Sequence, residues 1–313
     1  MNISDFLLVG GKNLKSDSFT SSGTWTNPGS TLAYILMCGA GGGGGGSTSS
    51  GGGGGGGGES ILFQPFPLVS NENIDVVIGA GGTGAIASSN TEGGDGGNTS
   101  ITSSLDSTRK IIAYGGKGGR RFWYANTLST NTNGCGGSIY GQYPSSNDLA
   151  STLSIEVKSP LTATFGLLQA TNSDYRIGFE IFAGTPGRYL KYNQGTNAKY
   201  IYTTPSVGRY SGYRLGGSGG GGTGENNPDA VMSDVIYRAG APNPFSSLAG
   251  GVCASVSSYV GGGGAGGLFG TGGNGGNSSV GGTGGYGAGG GGGYMNQNGG
   301  AGGSGKVVIY YFE

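Results

Sequence analysis

Two stretches of this sequence have the spacing of phosphate-binding loops. Gly79-Ala80-Gly81-Gly82-Thr83-Gly84 follows an apolar β-type run, as a dinucleotide-binding turn does. That chemistry also needs a helix opening at the last glycines, to hold the pyrophosphate, and an acidic residue about 20 positions on. Here Ala85-Ile86-Ala87 gives way to Ser88-Ser89-Asn90 and more glycine. Gly300-Ala301-Gly302-Gly303-Ser304-Gly305-Lys306 nearly spells a nucleotide phosphate loop, but Val307 stands where a hydroxyl should reach magnesium. Glycine makes up 78 of the 313 residues, so composition alone produces both patterns, and no cofactor is expected.

Proton transfer and nucleophilic attack are poorly served. Histidine is absent, which removes the usual base at neutral pH. Cys38, Cys135 and Cys253 are odd in number and widely spaced, so neither a disulfide framework nor a zinc site is indicated. Asp95 sits among glycines without the periodic Gly-Gly-x-Gly-x-Asp series of a calcium repeat. Asp148, Glu156, Asp174 and Glu180 are scattered, and a pair at glycosidase separation would hydrolyse a glycan, so polysaccharide hydrolysis stays as an alternative. The leading expectation is a protein without enzymatic activity, metal or cofactor.

Recognition is better represented. The candidates for receptor contact are Trp123, Tyr124, Tyr175, Arg176, Tyr189, Tyr192, Tyr200, Tyr202, Tyr210 and Tyr213, accompanied by Arg188, Arg209 and Arg214. Tyrosine offers a flat apolar face and a hydroxyl at low conformational cost. The competing reading is structural: alternate tyrosines, as in Tyr200-Ile201-Tyr202, cover one face of a sheet or a subunit interface. Sixteen basic and sixteen acidic side chains cancel, which disfavours nucleic acid and anionic membrane surfaces as partners. The longest apolar run, at 32–38, is far short of the ~18 residues that cross a bilayer, so no membrane insertion is expected. The N-terminus lacks the basic region of a secretory signal, and synthesis in a reducing cytoplasm is expected.

The elements that would position these residues are strands and glycine. Apolar and β-branched runs at 32–38, 73–78 and 110–114 lead directly into glycine, and 306–312 emerges from it. No capped 3.6-residue apolar period appears, so helix content should be very low. Glycine runs at 41–46, 51–58, 216–224 and 261–305 would ordinarily read as flexible linker. They recur in both halves and are flanked by strands. The expectation is therefore ordered packing: without Cβ atoms, extended chains of three residues per turn lie side by side and bond N–H to C=O between neighbours. The fold class expected is all-β with irregular structure, a β scaffold enclosing packed polyglycine-II-like segments. The organisation expected is an N-terminal docking segment at 1–16, a glycine-rich β domain at 17–120 and 214–313, and a Tyr-rich inserted β module at 121–213.

Phe19-Thr20-Ser21-Ser22-Gly23-Thr24-Trp25-Thr26-Asn27-Pro28, the run at 32–38 into Gly39-Ala40-Gly41-Gly42, Val76-Val77-Ile78-Gly79-Ala80-Gly81-Gly82, Gly96-Gly97-Asn98-Thr99-Ser100-Ile101, Ala113-Tyr114-Gly115-Gly116-Lys117-Gly118-Gly119 and Gly305-Lys306-Val307-Val308-Ile309-Tyr310 occur in that order. This succession resembles the glycine-rich domain of bacteriophage tail-fibre proteins, over about 17–120 and 214–313. The resemblance implies a virion component at or near a fibre tip, made in the host cytoplasm, that attaches the phage to a host surface glycan or outer-membrane protein. It also implies a homotrimer, docked to other tail or baseplate proteins through the N-terminal segment, with Phe6-Leu7-Leu8-Val9 as its apolar part. A tail-associated depolymerase, a purely architectural tail protein and a glycine-helix ice-binding protein are the alternatives. The last should show a sustained Gly-x-x triplet, which is lacking.

Overall fold

Short apolar runs at period two build strands, and glycine follows where they stop. The computed structural model describes residues 13–48, 51–89, 91–119, 188–192, 199–203, 207–208, 210–221, 239–253 and 260–313. The strands are β1 Leu14–Phe19, β2 Gly23–Thr26, β3 Leu32–Cys38, β4 Ser60–Pro67, β5 Asn73–Val77, β6 Thr99–Ser103, β7 Lys110–Ala113, β8 Arg188–Tyr192, β9 Lys199–Thr203, β10 Tyr210–Ser211, β11 Arg214–Leu215 and β12 Lys306–Phe312. The fold is all-β. Its helical content among the described residues is one 3-10 turn at Ala87–Ser89.

Among the described residues one sheet has the order β1-β12-β3-β4-β11-β10, a second β2-β5-β6-β7, and β8 pairs with β9. Every pairing is antiparallel. The two larger sheets pack face to face. Ala33, Ile35 and Met37 of β3 and Val307, Ile309 and Tyr311 of β12 point inward onto Trp25, Ile74, Val76, Ile101 and Ile111. The alternate residues Leu36, Cys38 and Val308 face the other way and are covered by Leu62, Leu215 and Leu268. β3 and β12 are therefore buried on both faces, which explains their nearly continuous apolar sequences.

β4 carries Pro65 and Pro67, which would be out of place in a strand paired on both sides. The β10–β11 hairpin reaches only as far as Leu62, whose N–H donates to the Tyr213 carbonyl, so among the described residues β4 is an edge beyond it and the missing N–H groups cost nothing. A register irregularity opposite Ile35 and Met37 places Phe63 at φ 51°, an uncommon conformation for a bulky residue. Its ring packs 5.6 Å from that of Tyr310 and 6.4 Å from that of Phe245.

The turn between β4 and β5 closes on a buried carboxylate. Glu72 accepts from the Val69 amide at 2.8 Å, from the Ser103 hydroxyl and from the Arg109 guanidinium, and its side chain is fully buried. Arg109 also donates to the Pro67 carbonyl at 2.8 Å and lies over the Phe66 ring. Burial pushes the Glu72 carboxyl up, but the Ser103, Val69 and Arg109 contacts outweigh it and hold the group below the usual carboxylate range. A carboxyl depressed in the folded state contributes stability above its unfolded pKa and loses it as pH falls through the folded value. Thermal unfolding scanned from neutral pH downward should show a midpoint that drops once pH falls below about 4. Glu72→Gln should unfold earlier at pH 7 and give a flatter pH profile. Parallel profiles for the two proteins would show that Glu72 plays no part.

Candidate functional site at the free end of the glycine rods

The glycine runs form extended rods with a three-residue repeat of bonding. In the rod at 39–45, Gly39, Gly42 and Gly45 donate to Glu59, Gly56 and Gly53; Ala40 and Gly43 to Gly97 and Gly94; Gly41 and Gly44 to Gly303 and Gly300. In return Ala40 and Gly43 accept from Gly116 and Gly119, Gly41 and Gly44 from Gly82 and Ala85, and Gly42 and Gly45 from Gly290 and Gly293. One rod is thus bonded to neighbours all around, antiparallel to those it donates to and parallel to those it accepts from, at 2.7–3.0 Å. The rod at 287–293 is likewise bonded on several sides, donating to 262–265, 42–45, 282–285 and Ser304 and accepting from 273–276, 52–58 and 300–303. Here, though, the rod at 42–45 to which it donates runs parallel, and those at 52–58 and 300–303 from which it accepts run antiparallel.

This packing requires the absence of Cβ, not unusual dihedrals. A Cβ on Gly41 would stand 1.9 Å from the Ala288 carbonyl oxygen, and one on Gly44 would stand 2.0 Å from that of Gly291. Among the described glycines positive φ occurs at Gly29, Gly212 and Gly287 alone. Gly287 combines both demands: φ is 73°, and a Cβ would lie 2.7 Å from the Cys38 sulfur. Burial there pushes the Cys38 thiol up to about 12, so it remains a protonated packing group.

The rods continue the strands. β3 runs into 39–45, β5 into 79–85, β7 into 114–119 and β11 into 216–221, while β4, β6 and β12 emerge from 53–59, 93–98 and 299–305. The sandwich therefore holds one end of the bundle, and the turns at 46–48, 86–89 with 91–92, 277–280 and 294–298 lie at the other. The chain at Gly119, Gly221 and Cys253 reaches that same end through bonds to Gly43, Gly263 and, one residue earlier, from Gly275 to Val252. The turns are latched to one another. Asn298 Oδ1 accepts from the Ala87 amide at 2.9 Å, Asn296 N–H donates to Ser47, and Tyr294 N–H to Ser279. Thr91 exchanges bonds with Ile86 across its own turn, and Asn274 Oδ1 accepts from Val252. Ile86 and Val280 are more than half exposed on this surface.

The receptor-contact candidates read from the sequence are distributed elsewhere. Trp123, Tyr124, Tyr175 and Arg176 lie outside the described residues. Tyr189 and Tyr192 fall on β8 and Tyr200 and Tyr202 on β9, with Tyr189 directly opposite Tyr202 and Tyr200 opposite Lys191. Tyr210 and Tyr213 are both 51% exposed on the β10–β11 hairpin, beside the seam between sandwich and rods. Arg214 is drawn inward instead. It bonds both oxygens of buried Glu59 at 3.1 Å and the Ile112 carbonyl at 3.0 Å. Two features had no sequence signal: the latched turns, in which Ser, Thr and Asn mix with scattered apolar residues such as Ile86 and Val280, and an aromatic face in which Lys306 lies 5.0 Å from Phe269 and 5.5 Å from Tyr286.

The phosphate-loop look-alikes lie within rods. Gly82, Ala85, Gly300, Gly302, Gly303 and Gly305 already donate to backbone carbonyls of other rods. Asp95 ties two rods by accepting from Lys117 Nζ at 2.6 Å and the Gly118 amide at 2.9 Å. Among the described residues no cluster of three or more His, Cys, Asp or Glu is placed to hold a metal ion. A family model described as a glycine-rich domain matches residues 17–312. No curated protein matches the chain.

Substitution of Gly44 by alanine should lower stability by about 3 kcal/mol or prevent folding, because backbone on the facing rod cannot retreat. Gly23→Ala, where a Cβ meets nothing within 4 Å, should unfold within about 1 kcal/mol of wild type. Chemical denaturation of the two variants checks this, and equal effects would refute the packing account. Amide exchange should be slow across 39–45 and 287–293, as in a core strand and unlike a linker.

Proposed function

The chain belongs to the glycine-rich domain family, and from that premise we propose that it is a non-enzymatic tip protein of a bacteriophage tail fibre, which attaches the virion to a host cell-surface receptor. The observation that carries this reading is the set of turns latched side by side at the free end of a bundle whose backbone is bonded on every side. Such a bundle holds its end loops in fixed relative positions, so little ordering entropy remains to be lost when they meet a partner. Adhesion to a repetitive cell surface needs that property, and it also tolerates wide variation in the loops because the rods beneath pack chiefly through main chain.

The receptor is a surface glycan or the outer loops of a membrane protein. The opposite end, where β1 begins at Leu14, faces the rest of the tail. Hydroxyl and amide groups of Thr91, Gln297 and Asn298, with the apolar Ile86 and Val280, suit either receptor.

Binding of the labelled full-length chain to a panel of bacterial cells tests the reading. Wild type should bind some strains saturably and release no sugar from their envelopes. Ile86→Asp combined with Val280→Asp should weaken that binding tenfold or more. Val77→Asp, equally exposed but on β5 of the sandwich, should leave it unchanged. Equal loss in both variants would move the contact away from the rod ends, and enzymatic sugar release would replace attachment by depolymerisation.

A further inference from the structure

We propose that the open edge of β1 pairs with β1 of a second copy, joining two chains through one continuous antiparallel sheet. β1 ends the six-stranded sheet. Asn13 and Glu313 exchange both backbone hydrogen bonds, at 2.8 and 3.0 Å. In an antiparallel ladder bonded and non-bonded pairs alternate, so Lys15, Asp17 and Phe19 also turn their backbone groups toward β12. The N–H and C=O groups of Leu14, Ser16 and Ser18 consequently face outward, and no other strand or loop among the described residues bonds them.

An edge of this kind is a template for another strand, and its sequence Leu14-Lys15-Ser16-Asp17-Ser18 is complementary to itself. With Ser16 on a twofold axis, Ser16 bonds Ser16 of the second copy, Leu14 bonds Ser18 in each direction, and every outward group is used. Lys15 then stands opposite Asp17 of the second copy in the closer, non-bonded positions, where opposite charges stabilise a sheet. Moving the axis one residue either way preserves the bonding phase but sets Lys15 against Lys15 or Asp17 against Asp17, and like charges directly opposite destabilise. One register is therefore selected. Lys15 is exposed, and Asp17 is held by the Trp25 indole, which donates to its Oδ2 at 2.7 Å. Because β1 runs toward the rods, the antiparallel pair points its two bundles away from each other and leaves both sets of turns free. The pairing stands on the sandwich alone and is independent of the attachment reading.

Sedimentation velocity of the full-length chain over a hundredfold concentration range is the test. Wild type should show a monomer–dimer equilibrium that weakens as salt is raised. Ser16→Pro should abolish it while leaving the circular dichroism and unfolding midpoint near wild type, since the N–H removed is one that β12 does not use. Lys15→Asp should raise the dimer dissociation constant tenfold or more. A wild type that stays monomeric throughout, a trimer, or a dimer unaffected by both variants would overturn the proposal. So would a full-length monomer that dimerises once residues 1–12 are deleted, which would give the edge to the chain's own N-terminal segment.

Discussion

A chain without side chains can bond outward in three directions per turn, and that single property governs this protein. Glycine is the most costly residue to order, at roughly 1–2 kcal/mol of backbone entropy each. A lone rod has no internal bonds to offset the loss. Inside the bundle each turn is held by separate neighbours, as at 39–45, and carbonyl oxygens approach α-carbons where any Cβ would collide. Order is therefore collective: a rod is stable because its neighbours are present. The same composition that makes an isolated glycine segment slack makes this interior stiff.

Rods of nearly identical sequence need something else to set their register, and the sandwich supplies it. Seven rods are direct continuations of strands, six with side chains in the core of Ile35, Met37, Ile74 and Ile309 and β11 with Leu215 against Leu36 and Val308. The seam is polar but satisfied. Glu59 bonds through its backbone to Gly39 and Tyr114, accepts from the Tyr114 amide through its carboxylate, and is neutralised by Arg214. Removal of either partner would leave a charge stranded between hydrophobic sheet and backbone bundle, which is far costlier than the loss of a surface ion pair. Arg214 thereby secures the short β11 to the body at the point where the glycine-rich chain resumes.

Stiffness and loop freedom are separated along the molecule. At the sandwich end, aromatic side chains and buried ion pairs specify one arrangement. At the free end, the turns touch through a few backbone and amide bonds, such as Asn298 to Ala87 and Asn296 to Ser47. Side chains there can change without reaching the interior, because the interior contains almost none. An attachment protein benefits from that division, which is why the rod ends, and not the tyrosines beside the seam, carry the functional proposal.

Several elements were legible in the residues. The runs that became β3, β5, β7 and β12 are rich in β-branched and aromatic side chains, and burial on one or both faces requires that composition. β1 and β4 were not legible: β1 is polar because it lies at an edge, and β4 carries two prolines that are tolerated only where β11 stops. Arg214 read as a companion of surface tyrosines, since nothing local announces that Glu59, far off in sequence, needs a counter-charge. The all-β class, the scarcity of helix and the packing of glycine as main chain were determined by the sequence itself, because they follow from missing side chains and from strand-forming runs beside them. Which rod lies against which, and which turns meet at the free end, was decided only by the tertiary structure. A run of glycine carries no side chain by which to choose a neighbour, so its partners are set from outside, by the strands that hold its end.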